Sequence, residues 1–326
     1  MTVHLLCATP LLPTIADRAQ AEFNAVTMQE RQLTTAETIA ALAAHPTITA
    51  VLVSSRIRFD ADAIAMLPPH VRLIATCSVG HEHIDLAAAR ARGIVVTNTP
   101  DVVTEATADL ALFLMLGALR RGREYAAIME QGWRQRYGLG DMLGRDFYGK
   151  TLGIVGMGRI GQAVARRARG FGVKVLYHNR RQLAPDLEHG AEYCVRLHAM
   201  LPRCQIVSLH IPGGRGFDGY VDAAMLALLP QGAVLVNTAR GSLVDEDALV
   251  AALRSGQLAA AGLDVFRAEP DYDLRLRDLS NVFLTPHMGT ATVETRAAMG
   301  HRALDNVTDF LHGSTPRDAL WHESSR

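Results

Sequence analysis

The segment Leu152-Gly153-Ile154-Val155-Gly156-Met157-Gly158-Arg159-Ile160-Gly161-Gln162-Ala163-Val164-Ala165-Arg166 decides how the rest of the chain is read. A G-x-G-x-x-G run alone is a weak signal, because glycine-rich turns are common. Here an apolar strand pattern leads into it and a helical pattern leaves it, which is the context that the dinucleotide-binding fingerprint requires. Gly156 permits the tight turn, Gly158 lets backbone approach a pyrophosphate, and Gly161 lets the helix pack on the strand. The first amides of that helix, at Arg159 and Ile160, then face the phosphates.

Outward from this segment, short apolar runs alternate with helical periodicity, which implies β-α-β units and parallel sheets. Strands are expected at Val3–Ala8, Ala50–Val53, Leu73–Ala75 and Ile94–Val96 in the first part. The second part adds Thr151–Val155, Val173–Tyr177, Ile206–Leu209, Ala233–Val236, Ala259–Leu263 and Val282–Leu284. Helices are expected at 36–44, 85–92, 101–121, 159–170, 223–229, 245–254 and 292–311, several with Asp or Thr at the start and Gly at the end. Residues 123–150, rich in Gly, Arg and aromatics, read as an irregular arm. The expected fold class is α/β, two Rossmann-like lobes with parallel sheets and an interlobe cleft. One lobe would comprise 1–99 plus 291–326, a substrate-binding lobe. The other, 100–290, would bind the dinucleotide and carry a dimerisation helix and the arm.

The 326 residues include 49% hydrophobic and 20% charged side chains, enough apolar material for a large core. Lys and Arg balance Asp and Glu, for a net charge of +0, which argues against a nucleic-acid or anionic-membrane partner. Cys7, Cys77, Cys194 and Cys204 form no C-x-x-C pair and read as reduced thiols of a cytoplasmic protein. The opening residues Met1–Ala8 lack a basic leader and read as a strand rather than a signal peptide. The apolar run Leu110–Leu119 is too short to span a bilayer.

Cofactor choice is read at the end of the next strand. About 20 residues past the fingerprint an acid would hold the ribose hydroxyls of NAD, but Asn179, Arg180 and Arg181 stand there. A carboxylate would repel a 2′-phosphate, whereas two guanidiniums would pair with it. NADP is therefore expected, and NAD is the alternative if Arg180 and Arg181 are only solvated loop charges.

Three later segments carry the chemistry: Val236-Asn237-Thr238-Ala239-Arg240-Gly241, Gly262-Leu263-Asp264-Val265-Phe266 with Glu269-Pro270, and Leu284-Thr285-Pro286-His287-Met288-Gly289. Each puts a polar residue at or beyond the end of an apolar strand, where open α/β sheets bind ligands. Together Arg240, Glu269 and His287 suit reduction of a keto acid. The Arg forks onto a carboxylate, the His exchanges a proton with the substrate oxygen, and the Glu orients the imidazole. His81, His83 and Asp85 could be read as metal ligands, but zinc needs a fuller set, and no metal is expected. Arg56, past the strand Ala50–Val53, reads equally as a substrate contact or a helix-end cover.

These motifs, together with Thr104-Glu105-Ala106-Thr107-Ala108-Asp109-Leu110 and the segment Pro286–Thr292, carry a family resemblance that covers nearly the whole chain. The sequence resembles the D-isomer-specific 2-hydroxyacid dehydrogenases, and within them the glyoxylate/hydroxypyruvate reductases. The spacing of Arg240, Glu269 and His287 is also as that family has it. The resemblance implies that Arg240 binds the substrate carboxylate, that His287 is the general acid and that Glu269 is its partner. It implies cofactor contacts at Thr238, Ala239 and Asp264, with Ile211, Pro212 and Gly289 alongside, and a substrate loop whose Val79 and Gly80 amides hold the carboxylate. It implies a small 2-keto or 2-hydroxy acid as substrate and a homodimer as the assembly. Two departures stand out. His81-Glu82 follows Gly80 where the family usually has an aromatic residue and an acid, and Gly213-Gly214 replaces a Thr/Pro/Glu-rich turn, predicting a flexible loop there.

Overall fold

A computed structural model of the chain describes residues 4–28, 30–214 and 216–321. It separates into two compact units, Met1–Val103 with Thr290–Arg326, and Thr104–Gly289. Both are built on wholly parallel sheets with helical crossovers, as the alternating pattern requires.

In the first unit the strands are β1 (Leu5–Cys7), β2 (Val26–Thr27), β3 (Ala50–Val53), β4 (Leu73–Thr76) and β5 (Val95–Thr97), in the order β2-β1-β3-β4-β5. Val3, expected in the first strand, lies outside the described residues. Alternate side chains of each strand enter opposite cores: Leu6, Val51, Val53, Ile74 and Val96 on one face, Leu5, Cys7, Leu52, Leu73 and Ala75 on the other. Burial on both faces is why these strands read as unbroken apolar runs. The helix Val293–Leu311, capped by the Thr292 side chain accepting from the Thr295 amide, packs on β4.

The second unit holds β6 (Thr151–Val155), β7 (Lys174–His178), β8 (Glu192–Tyr193), β9 (Ile206–Leu209), β10 (Ala233–Asn237), β11 (Leu258–Leu263) and β12 (Val282–Leu284). Their order, β12-β11-β10-β9-β6-β7-β8, is doubly wound, and the winding reverses between β6 and β9. Ligands bind outside the carboxyl ends of the strands at such a switch point. The helix Arg159–Gly170 buries Ala163, Val164, Ala165 and Ala168, small residues that let it pack closely against the helix Thr104–Leu119.

Most elements fall where the periodicity puts them, within a residue or two at their ends. The long helix is shorter than 101–121 because Asp101 and Arg121 adopt left-handed backbone at φ 70° and 53°. The arm corrects the expectation of irregular structure from 123 onward, since Gly122–Glu130 is a helix. Its polar residues serve tertiary contacts: Arg123 donates to the carbonyls of Leu279 (2.8 Å) and Arg277 (2.6 Å), and the Tyr125 hydroxyl donates to Met142 O at 2.6 Å. Such long-range anchoring overrides a weak local signal. Residues 131–150 do form turns. Among the described residues no helix is long and apolar enough to cross a membrane.

Candidate active site

Because the seven strands of the second unit run parallel, every residue that follows one lies along the same sheet edge. Gly156 follows β6, Asn179 β7, Ile211 and Pro212 β9, Thr238, Ala239 and Arg240 β10, Asp264 and Glu269 β11, and His287 and Gly289 β12.

The glycine turn is built as the fingerprint demands. Gly156 sits at φ 99°, and a Cβ there would come within 2.7 Å of the His210 carbonyl, while one at Gly161 would collide with the Gly156 carbonyl. Gly158 caps the helix with no side chain, and a Cβ on it would meet nothing within 4 Å. The amides of Arg159, Ile160 and Gly161 in the first turn have no intrahelical acceptor. Asn179 turns back onto this loop, accepting the Met157 amide at 2.7 Å. Arg180 and Arg181 are exposed, and no acid among the described residues pairs with either.

Asn237 shapes the next turn. Buried at the end of β10, it donates to Arg240 O (2.8 Å) and accepts from the Ala239 amide (3.0 Å). Thr238 is buried between them with its hydroxyl bonded to no protein group. A buried, unsatisfied hydroxyl is costly, so this orphan on the same sheet edge as the glycine turn fits a polar ligand. With the open space at Gly158 and the helix amides, it makes the residue set suited to a dinucleotide.

His287 is placed by Asp264. One carboxylate oxygen accepts from Thr285 Oγ1 (2.6 Å) and the Met288 amide (2.7 Å), and the other from the Gly289 amide (2.9 Å). The Asp264 carbonyl takes the His287 amide at 2.8 Å. Burial pushes the Asp264 carboxyl above its ordinary range, against the pull of these bonds. The loop holds His287 at φ 56°, a left-handed conformation that side chains other than Gly adopt at a cost and that gathers at functional sites. Its Nδ1 lies 2.7 Å from Glu269 Oε2, and Glu269 Oε1 accepts the Phe266 amide at 2.9 Å. Nε2 is claimed by no described residue. Partial burial raises the Glu269 carboxyl, but the His287 and Phe266 hydrogen bonds and the charges of His287 and Arg240 outweigh it and hold the group below its usual range. Arg240, Glu269 and His287 therefore share one electrostatic site.

Two features of this site escape sequence reasoning. Asn237, the hinge of the arginine turn, was legible only as a polar residue ending an apolar strand. Gly213, in the turn after β9, lies against the Arg240 stem: a Cβ there would come within 2.9 Å of Arg240 Cγ. Gly213→Ala should displace the guanidinium and raise the keto-acid KM about tenfold, on the scale of ~1–3 kcal/mol for overpacking, while cofactor affinity holds. An unchanged KM in steady-state kinetics would show that this loop does not set Arg240.

The other candidates lie in the first unit, on the loop after β4. There the Ser78, Val79 and Gly80 carbonyls accept from the Thr99 amide (2.9 Å), Asn98 Nδ2 (2.8 Å) and Ser78 Oγ (2.7 Å). The Val79 and Gly80 amides meet no acceptor among the described residues. His83 is engaged with Thr76 Oγ1 at 3.1 Å, and Asp85 caps the helix Leu86–Ala91. Among the described residues no three His, Cys, Asp or Glu side chains gather as a metal site.

The model of the D-isomer specific 2-hydroxyacid dehydrogenase NAD binding domain matches residues 112–289. A glyoxylate reductase of Thermococcus litoralis is 44% identical over 253 residues, 76% of each chain. The chain belongs to the D-isomer specific 2-hydroxyacid dehydrogenases. A glyoxylate reductase from Paecilomyes thermophila superposes on this dehydrogenase with TM-score 0.87 at 34% identity, covering 98% of each chain. An NADPH-dependent glyoxylate/hydroxypyruvate reductase from Sinorhizobium meliloti, solved with NADP and malonate, gives TM-score 0.85 at 33% identity over 98% of this chain and 97% of that one. A nicotinamide dinucleotide is thus the cofactor of this dehydrogenase, and the glycine turn, Thr238 and the first turn of Arg159–Gly170 are the groups in the structure suited to hold it.

Proposed function

We propose that this dehydrogenase reduces small 2-keto acids of the glyoxylate/hydroxypyruvate type to D-2-hydroxy acids, with NADPH as preferred reductant. The observation that carries the reading is the Arg240–Glu269–His287 set on the same sheet edge as the glycine turn, supported by relatives that are named glyoxylate reductases. When bound, the reduced dinucleotide supplies a hydride. Arg240 would fork onto the substrate carboxylate and aim the keto carbon. His287 Nε2 would give a proton to the oxygen as it gains charge, while Glu269 holds the ring. Thr238, Ala239, Ile211 and Pro212 would line the cofactor, and Asp264 with Gly289 would keep the histidine loop beside it. A panel of 2-keto acids against NADPH and NADH, scored as kcat/KM, tests this; failure to oxidise either cofactor with glyoxylate or hydroxypyruvate overturns it.

The preference for NADPH rests on Arg180 and Arg181, exposed and unclaimed by acids, with no carboxylate at the end of β7 to repel a 2′-phosphate. Asn179→Asp combined with Arg180→Ser and Arg181→Ser should shift the NADPH/NADH ratio of kcat/KM toward NADH by about tenfold or more, the loss of a bidentate phosphate pair. An unchanged ratio would assign the phosphate contact elsewhere or make NAD the natural cofactor.

Homodimerisation through the helix Thr104–Leu119 and the arm is part of the same reading, since Phe113, Met129 and Trp133 are large exposed apolar side chains there. A solution mass of one chain by light scattering would refute it. A cytoplasmic location agrees with four free thiols, and cell fractionation checks it.

A further inference from the structure

The loop that carries Arg180 and Arg181 is tied down on both sides of them. Before them, the Asn179 side chain accepts the Met157 amide at 2.7 Å, and the Asn179 carbonyl takes the Tyr193 hydroxyl at 3.2 Å. After them, the Leu183 amide donates to the Tyr177 hydroxyl at 3.0 Å, and Gln182 Nε2 donates to Glu188 Oε1 at 2.9 Å. The Tyr177 hydroxyl in turn donates to that same Glu188 oxygen at 2.7 Å. Tyr177 belongs to β7 and is fully buried, its ring centre 5.2 Å from that of Tyr193. Burial and the Glu188 hydrogen bond push its hydroxyl up to about 12, so it keeps the proton that it donates. The short helix Pro185–Glu188 opens on a proline, whose fixed φ helps set where Glu188 leaves the turn.

Between these anchors Arg180 and Arg181 are exposed and take no partner among the described residues. Packing of β7 alone would be served by a phenylalanine at 177. The tyrosine instead spends its donor and an acceptor lone pair on the loop, and so fixes the chain on the far side of the two guanidiniums as Asn179 fixes it on the near side. Two neighbouring cations on a loose loop would repel each other and sample many positions, and ordering them on binding would cost affinity. A loop already held at both ends avoids most of that cost. We propose that Tyr177 and Glu188 are positioning residues for cofactor selection, their hydrogen bond holding the loop 179–183 in the shape that presents Arg180 and Arg181 to the 2′-phosphate of NADPH. This deepens the NADPH reading and rests on it. NADH has no group for these arginines, so the shape of the loop should matter little to it.

The test measures Kd for NADPH and for NADH by fluorescence titration of the full-length enzyme, a readout independent of turnover. Tyr177→Phe keeps the ring and its packing and removes only the hydroxyl. It should weaken NADPH by about fivefold to tenfold, the worth of about one net hydrogen bond, and NADH by less than about twofold. Glu188→Ala, which lies outside the apolar core and leaves β7 untouched, should weaken NADPH in the same selective way. Glu188→Gln should keep most of the affinity, because its amide oxygen still accepts from the Tyr177 hydroxyl. Each variant is checked for folding by circular dichroism. Equal weakening of both dinucleotides, weakening of neither, or a Glu188→Gln loss as large as that of Glu188→Ala overturns the assignment. A wild-type enzyme that binds NADH more tightly than NADPH would instead overturn the NADPH preference, while the change in the two constants on Tyr177→Phe still decides the role of the loop.

Discussion

Replacing His287 with Asn is expected to lower kcat for keto-acid reduction by about 10²–10⁴, the usual contribution of a positioned general acid, with little change in NADPH affinity. His287 sits at φ 56°, held there by its own amide bond to Asp264 O and by the Asp264 side chain on Met288 and Gly289. The left-handed backbone aims Nδ1 at Glu269, which leaves Nε2 for the substrate. Asn tolerates that backbone conformation better than most residues, so the loop should keep its shape while the proton donor is lost. NADPH binding is followed by the nicotinamide fluorescence and turnover by the loss of its absorbance. Near-full turnover in the variant would remove His287 from the acid role.

Arg240→Ala should reduce kcat/KM for glyoxylate by about 10³ or more, with KM raised and kcat lowered together, because charge pairing and orientation are lost at once. Arg240→Lys should recover only part, since an ammonium cannot reproduce the planar fork. The arginine enters the site on a turn that Asn237 holds from both sides and that Gly213 underlies. Its charge also helps keep Glu269 ionised, so part of the loss in kcat should come through Glu269 and His287. Steady-state kinetics on both variants separate these contributions. A rise in KM with kcat intact would mean that Arg240 only binds.

The strands of both units were legible because burial on two faces leaves continuous apolar runs such as Ala50–Val53 and Ile206–Leu209. The helix Gly122–Glu130 was not, since its stability comes from Arg123 reaching the Arg277 and Leu279 carbonyls far along the chain. The same limit applies in the site. Arg240, Glu269 and His287 could be picked out one by one from their strand ends, and the structure joins Glu269 to His287 by a hydrogen bond. That Gly213 touches Arg240, or that Asp264 gives its carboxylate to the histidine loop, depends on side-chain directions that spacing does not encode.

The most direct measurement is a double-mutant cycle on kcat with Glu269→Gln, His287→Asn and the pair. If the carboxylate works only through the imidazole it holds at 2.7 Å, the double variant should turn over no more slowly than His287→Asn alone. Losses that multiply would mean two independent roles, and a proton donor other than the Glu269-oriented histidine.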